Sequence, residues 1–127
     1  MIDPAGLYRE KARESLAGAE SELDARRYNN AAKLAYFACY QAAVAALIRA
    51  GARRSGADVE WRHDFVQAEI RRRRLVPAEL GSVLLDTMRL RHLADYAPRS
   101  VSERNARQTV ARARSFAAAL GAMGEGP

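Results

Sequence analysis

The sequence predicts an all-α fold, an antiparallel up-and-down bundle of four or five helices in a single domain spanning residues 1–127. Three observations carry that expectation. Val, Ile and Thr together number 12 against 27 Ala, so strand formers are scarce and the strongest helix former dominates. Apolar residues recur at spacings of three and four along much of the chain, the period of a helix with one buried face. The stretch Ala31 to Ala50 is apolar on nearly every side, which a helix tolerates only when others surround it. A hydrophobic share of 49% with 28% charged residues is the balance of a globular chain and excludes disorder for the bulk.

The first helix is expected to open at Asp3-Pro4, an N-cap type followed by proline at the first helical position, and to end around Arg27. Leu7, Ala12, Leu16, Ala19 and Leu23 form its buried stripe. Tyr28-Asn29-Asn30 breaks the pattern, and Asn29 or Asn30 can cap the second helix, which runs to Gly51 with Arg49 in its last turn. Ala31 to Ile48 is Ala-rich and interrupted by Lys33 and Gln41, so it reads as a buried helix and not as a membrane span. Gly51 to Ala57 reads as a mobile basic loop, after which Asp58 can cap a third helix carrying Trp61, Phe65 and Ile70 and ended by Arg71 to Arg74.

Pro77 is expected to open the fourth helix, with Leu80, Val83, Leu84, Thr87, Met88, Arg91 and Asp95 on neighbouring rows. The Ala97-Pro98 step stops it near Tyr96. Ser100 with Glu103 makes a capping-box signature for a fifth helix, whose stripe is Ala106, Val110, Ala113, Ala117 and Leu120. Gly121, Gly124 and Gly126-Pro127 read as a frayed tail.

A net charge of +6 suits a polyanionic partner, but Arg, Ala and Gly are enriched together as in GC-rich coding, so charge alone is weak evidence. The lone Cys39 excludes an internal disulfide and reads as a buried small hydrophobe. With no apolar leader segment near the N-terminus, it points to a cytoplasmic protein with no membrane association. There is no glycine-rich phosphate loop, no Gly-x-Ser-x-Gly, no His-Glu-x-x-His and no cysteine pair, so no cofactor and no metal site is expected.

Two segments remain as candidates for chemistry. Arg71, Arg72, Arg73 and Arg74 form the densest positive run and are the candidate nucleic-acid-binding residues. Four consecutive side chains splay around a helix at ~100° each, however, and cations there also offset the helix dipole. The second segment holds Arg91, His92, Asp95 and Tyr96. Arg91 and Asp95 share a face, as do His92 and Tyr96, and the row Leu84, Thr87, Arg91, Asp95 turns Arg91 toward the core, where an arginine needs a partner. His63 reads as a structural histidine.

Ala31-Ala32-x-x-Ala35-Tyr36-Phe37-Ala38-x-Tyr40-x-Ala42-Ala43, His63 ahead of an apolar helix, Arg91-x-x-Ala94-Asp95-Tyr96 and the Val110 to Leu120 helix together resemble a small stand-alone HEPN domain. The resemblance runs from about Ala12 to Leu120. It implies an antiparallel helical bundle, usually a homodimer, and in many members a metal-independent RNase, often a toxin encoded beside a minimal nucleotidyltransferase antitoxin. Those RNases carry Arg, four to six residues, then His. Here four residues after Arg91 lead to Tyr96, and no arginine has a histidine at that distance. Tyrosine, with a pKa of ~10 in water, is a poor general base at neutral pH beside histidine at ~6.5.

Two functions from different classes follow. The first is a toxin-antitoxin or nucleotidyltransferase-partner component that binds or cleaves RNA, with Arg91 on a phosphate, Asp95 holding it, and His92 or Tyr96 assisting proton transfer. The alternative is a non-catalytic helical dimerisation or protein-interaction module. An apolar second helix with little cover from short partners adds to the expectation of self-association.

Overall fold

A computed structural model describes residues 3–54 and 61–122. Five helices follow one another there: α1 Pro4–Asp24, α2 Tyr28–Arg49, α3 His63–Arg72, α4 Val83–Tyr96 and α5 Glu103–Ala119, with a single 3-10 turn at Ala78–Leu80. The fold is an all-α bundle, as expected. Asn30 at the start of α2 meets Glu22 at the end of α1, Lys33 of α2 meets Asp95 of α4, and Asp86 of α4 meets Arg112 of α5, so neighbours in the order α1, α2, α4, α5 alternate in direction. The short α3 lies along α2 and runs the same way, with His63 beside Tyr36 and Arg73 beside Ala50.

Helix α2 is the axis, packed against all four of the others. Its Tyr36, Cys39, Val44 and Leu47 are fully buried with Leu16 of α1, Val66 of α3, Val83 of α4 and Phe116 of α5. Alanine sets the helix spacing: Ala12, Ala42, Ala117 and Ala122 form a small-residue contact where α1, α2 and the end of α5 meet closely. By length and mean hydropathy α2 is apolar enough to cross a membrane, more so than its Ala-rich, Lys- and Gln-interrupted sequence suggested. Even so, 61% of its most apolar window is covered by the other helices, as in a core helix.

The thiol of Cys39 is held well above its ordinary range, to about 12, because burial penalises the thiolate. The neighbouring Thr87 hydroxyl opposes that shift and donates to the Leu84 carbonyl at 3.0 Å.

Several element ends and one stripe position differ from expectation. Asp3 occupies the N-cap position of α1 but makes no side-chain cap bond. Leu7 is 44% exposed while Ala5 is buried, because five residues before Ala12 lies about 140° off the Ala12-Leu16-Ala19-Leu23 stripe. α1 stops at Asp24, with Arg26 in the left-handed region at φ 63 and the Arg27 amide donating to the Glu22 carbonyl.

Neither asparagine caps α2, which starts at Tyr28. Asn29 instead accepts from the Val101 amide at 2.9 Å and donates to Ser100 Oγ, and Asn30 donates to Glu22. With Ser100 so engaged and Val101 buried, the cap of α5 falls to Ser102, which accepts from the Asn105 amide at 3.1 Å. Pro77 opens only the 3-10 turn. Gly81, where a Cβ would lie 3.1 Å from the Ala78 carbonyl oxygen, closes it before α4 begins at Val83.

Gly51 takes the left-handed position after α2 at φ 84, as expected. Gly121 does the same after α5, so the start of the expected frayed tail is a helix cap that buries Ala122. Gly124, Gly126, Pro127, Asp58 and the end of the Gly51 to Ala57 loop lie outside the described residues, but α3 begins only at His63 with Arg62 in the N-cap position, so Asp58 does not cap it and Trp61 precedes it.

Candidate functional site

The row Leu84, Thr87, Arg91, Asp95 on α4 faces α2. Its first two members are buried and the next two carry charge at the rim of the same interface. Side-chain exposure falls to 24% at Arg91 and 17% at Asp95, so both are largely withdrawn from water. The Arg91 guanidinium carbon lies 5.1 Å from the Phe37 ring centroid and 5.7 Å from that of Tyr36, a cation laid over two aromatic faces of α2. Arg91 Nε stands 3.5 Å from Asp95 Oδ2, close enough for an ion pair but without a hydrogen bond, and this buried N–H has no partner.

The other Asp95 oxygen is taken. Lys33 Nζ lies 3.1 Å from Asp95 Oδ1, so one carboxylate serves two cations from two helices. The trio keeps one positive charge in excess, with the aromatic rings of α2 beneath it. Lys33 carried no signal as a site residue in the sequence, where it stood only as an interruption of an apolar run. Its role depends on the crossing of α2 and α4, and a local pattern does not encode that crossing.

The sequence-derived residues therefore divide. Arg91 and Asp95 are brought together, and Lys33, Tyr36 and Phe37 join them. His92 and Tyr96 pair edge to face at 6.0 Å on the outer side of α4, with Tyr96 77% exposed. Neither shares a hydrogen bond or ion pair with Arg91 among the described residues.

His63 stands closer to the Arg91 neighbourhood than its place in the sequence suggests. Its Nδ1 is hydrogen-bonded to the Tyr36 hydroxyl, and its ring stacks on Tyr40 at 4.3 Å between centroids. The Tyr40 hydroxyl donates to the Trp61 carbonyl, so these contacts fasten the start of α3 to α2. Burial pushes the Tyr36 hydroxyl above its ordinary ionisation range, so it stays protonated.

The arginine run at the end of α3 lies at the other end of α2. Arg72 and Arg73 both bind Glu69, and Arg73 also donates to the Ala50 carbonyl. Arg71 and Arg74 do not take part in that cluster. Among the described residues no group of three or more His, Cys, Asp or Glu is placed to hold a metal ion.

Chemically, the Arg91 site is a cationic pair with one carboxylate as tether. A guanidinium with its Nε buried and its side chain 24% exposed suits a phosphate oxygen, and the nearby Lys33 ammonium adds a second donor.

No curated protein matches the sequence. The family model for the HEPN domain matches residues 5–122, nearly the whole chain and all five helices. With that match laid over an α2-centred bundle, the chain belongs to the HEPN domain family.

Proposed function

We infer that this HEPN protein binds the phosphate groups of RNA or of a nucleotide at Arg91 and Lys33. The observation that carries this is the two-to-one ratio of cations to carboxylate at Asp95, which leaves a partly buried positive charge without its counterion. An incoming phosphate completes it. In this reading the protein is a homodimer and one half of a toxin-antitoxin pair whose partner is a minimal nucleotidyltransferase. The family membership supports that setting, in which such domains are commonly RNases. Where RNA is cleaved, Arg91 holds the scissile phosphate and the exposed His92 moves the proton.

The test is binding of a labelled single-stranded RNA at low salt, where phosphate contacts are strongest. Arg91→Gln and Lys33→Gln weaken it, and Asp95→Asn, which removes the competing carboxylate, tightens it. Cleavage is assayed with EDTA present, and activity that vanishes in both Arg91→Gln and His92→Ala makes the protein an enzyme. Folded wild type that binds neither RNA nor nucleotide removes this reading. A second reading, a protein-interaction module without catalysis, is favoured by Tyr96: it stands where the RNase pattern has histidine, and its ring is presented to solvent as a docking handle.

A further inference from the structure

The four arginines that end α3 are not one patch. Arg72 donates from Nε and Nη2 to the two oxygens of Glu69 at 2.9 and 2.8 Å, and Arg73 Nε donates to Glu69 Oε1 at 2.9 Å. Arg71 and Arg74, three apart and both exposed, instead line one cleft of about 390 Å³ whose apolar side is Ile70, Val76 and Pro77. Neither forms an ion pair among the described residues. Four guanidiniums against the one carboxylate of Glu69 leave three positive charges at this helix end, more than the roughly half charge of the α3 dipole offsets.

The backbone adds a second observation. Arg74 sits at φ 52, the left-handed position that closes a helix and that glycine fills at no steric cost, as Gly51 and Gly121 do after α2 and α5. Arginine stands there after both α1 and α3, as Arg26 at φ 63 and Arg74, and Arg74 is the one that lines the cleft beside Arg71.

We propose that the Arg71–Arg74 cleft is a nucleotide-phosphate site, with one phosphate held between the two guanidiniums and the base laid on Val76 and Pro77. It is independent of the Arg91 reading. Arg73 touches Ala50 and Asp95 touches Lys33, seventeen residues apart on α2, which at 1.5 Å per residue separates the two regions by about 25 Å. The ligand is a phosphate with an attached nucleoside, supplied either by a free nucleotide or by a segment of single-stranded RNA.

The experiment titrates the full chain at low salt with adenosine 5′-monophosphate and with a fluorescein-labelled single-stranded RNA. The test variant is Arg71→Gln with Arg74→Gly, and Arg72→Gln with Arg73→Gln removes the same charge from the same helix end. The test variant is expected to weaken RNA binding at least tenfold and to lower the slope of log affinity against log salt by about one. The Arg72/Arg73 variant changes affinity less than threefold.

Loss of both ligands in the test variant assigns the cleft to a free nucleotide, and loss of RNA alone assigns it to a strand. Glycine suits the backbone at position 74, so the test variant melts no lower than wild type and lost binding is not lost fold. If its helical signal nevertheless drops, Arg71→Gln alone serves, with at least a threefold loss expected. Unchanged binding, or equal losses in both arginine pairs, overturns the proposal. Arg91→Gln run alongside separates the two sites: a loss confined to it overturns the cleft and leaves the Arg91 reading standing, and a loss confined to the cleft variant does the reverse.

Discussion

Lys33 and Asp95 join α2 to α4 across 3.1 Å, and through the second oxygen of that carboxylate Lys33 is coupled to Arg91. Removing the shared anion leaves two cations facing each other over the Tyr36 and Phe37 rings. Asp95→Ala is therefore expected to destabilise the bundle by about 1–2 kcal/mol, between the values for exposed and fully buried pairs. Lys33→Ala, from a side chain 40% exposed, costs under about 0.5 kcal/mol. Urea unfolding followed by circular dichroism measures both, and equal small losses would show that the trio is solvated.

The Glu69 carboxyl is depressed to about 2 from an ordinary 4.5, because it accepts hydrogen bonds from Arg72 and Arg73. A carboxyl whose folded pKa is lowered stabilises the fold above its unfolded pKa and loses that contribution as pH falls toward the folded value. Wild type should thus exceed Glu69→Gln in urea midpoint above pH of about 4.5, with the gap closing between there and about 2. A gap that persists unchanged at the acid end would assign the difference to packing. Both arginines are partly in water, so the expected gap is small.

Arg26 and Gly51 occupy the same kind of left-handed helix end at φ 63 and φ 84. Arg26→Gly should raise stability by up to about 1 kcal/mol, and Gly51→Ala should lower it by about as much, although a Cβ at Gly51 would meet nothing within 4 Å. Thermal melts in opposite directions are the expected outcome. A Gly51→Ala protein that melts with wild type would show that this backbone relaxes freely.

Ala42 lies fully buried against Ala12 and Ala117, where α1, α2 and α5 meet on small side chains. Ala42→Leu forces those helices apart and is expected to cost about 1–3 kcal/mol with helix content retained. Ala118→Leu, on the exposed side of α5, is the matched control and stays within about 0.5 kcal/mol of wild type. Indistinguishable melts for the two variants would remove alanine packing as the reason α2 sits at the axis.

The sequence by itself determined the helices and their core. The stripe of α5 from Ala106 to Ala117, the burial of α2 and the stop at Tyr96 follow from spacing and proline, which act within a few residues of where they are read. It also placed Arg91 beside Asp95, because i and i+4 share a helix face whatever the helix packs against. Tertiary structure decided the rest. Asn29 holds Val101 instead of capping its helix, Ser102 took the cap that Ser100 seemed to offer, and Glu69 divided four arginines into a pair tied to its carboxylate and an open pair. Lys33 joined Asp95, and His63 came to Tyr36, only when α2 met α4 and α3. Hydrogen bonds and ion pairs of polar side chains are satisfied by whichever partner the packed helices bring within about 3 Å, and that partner is set by helix crossing, which the periodicity of a single helix does not contain.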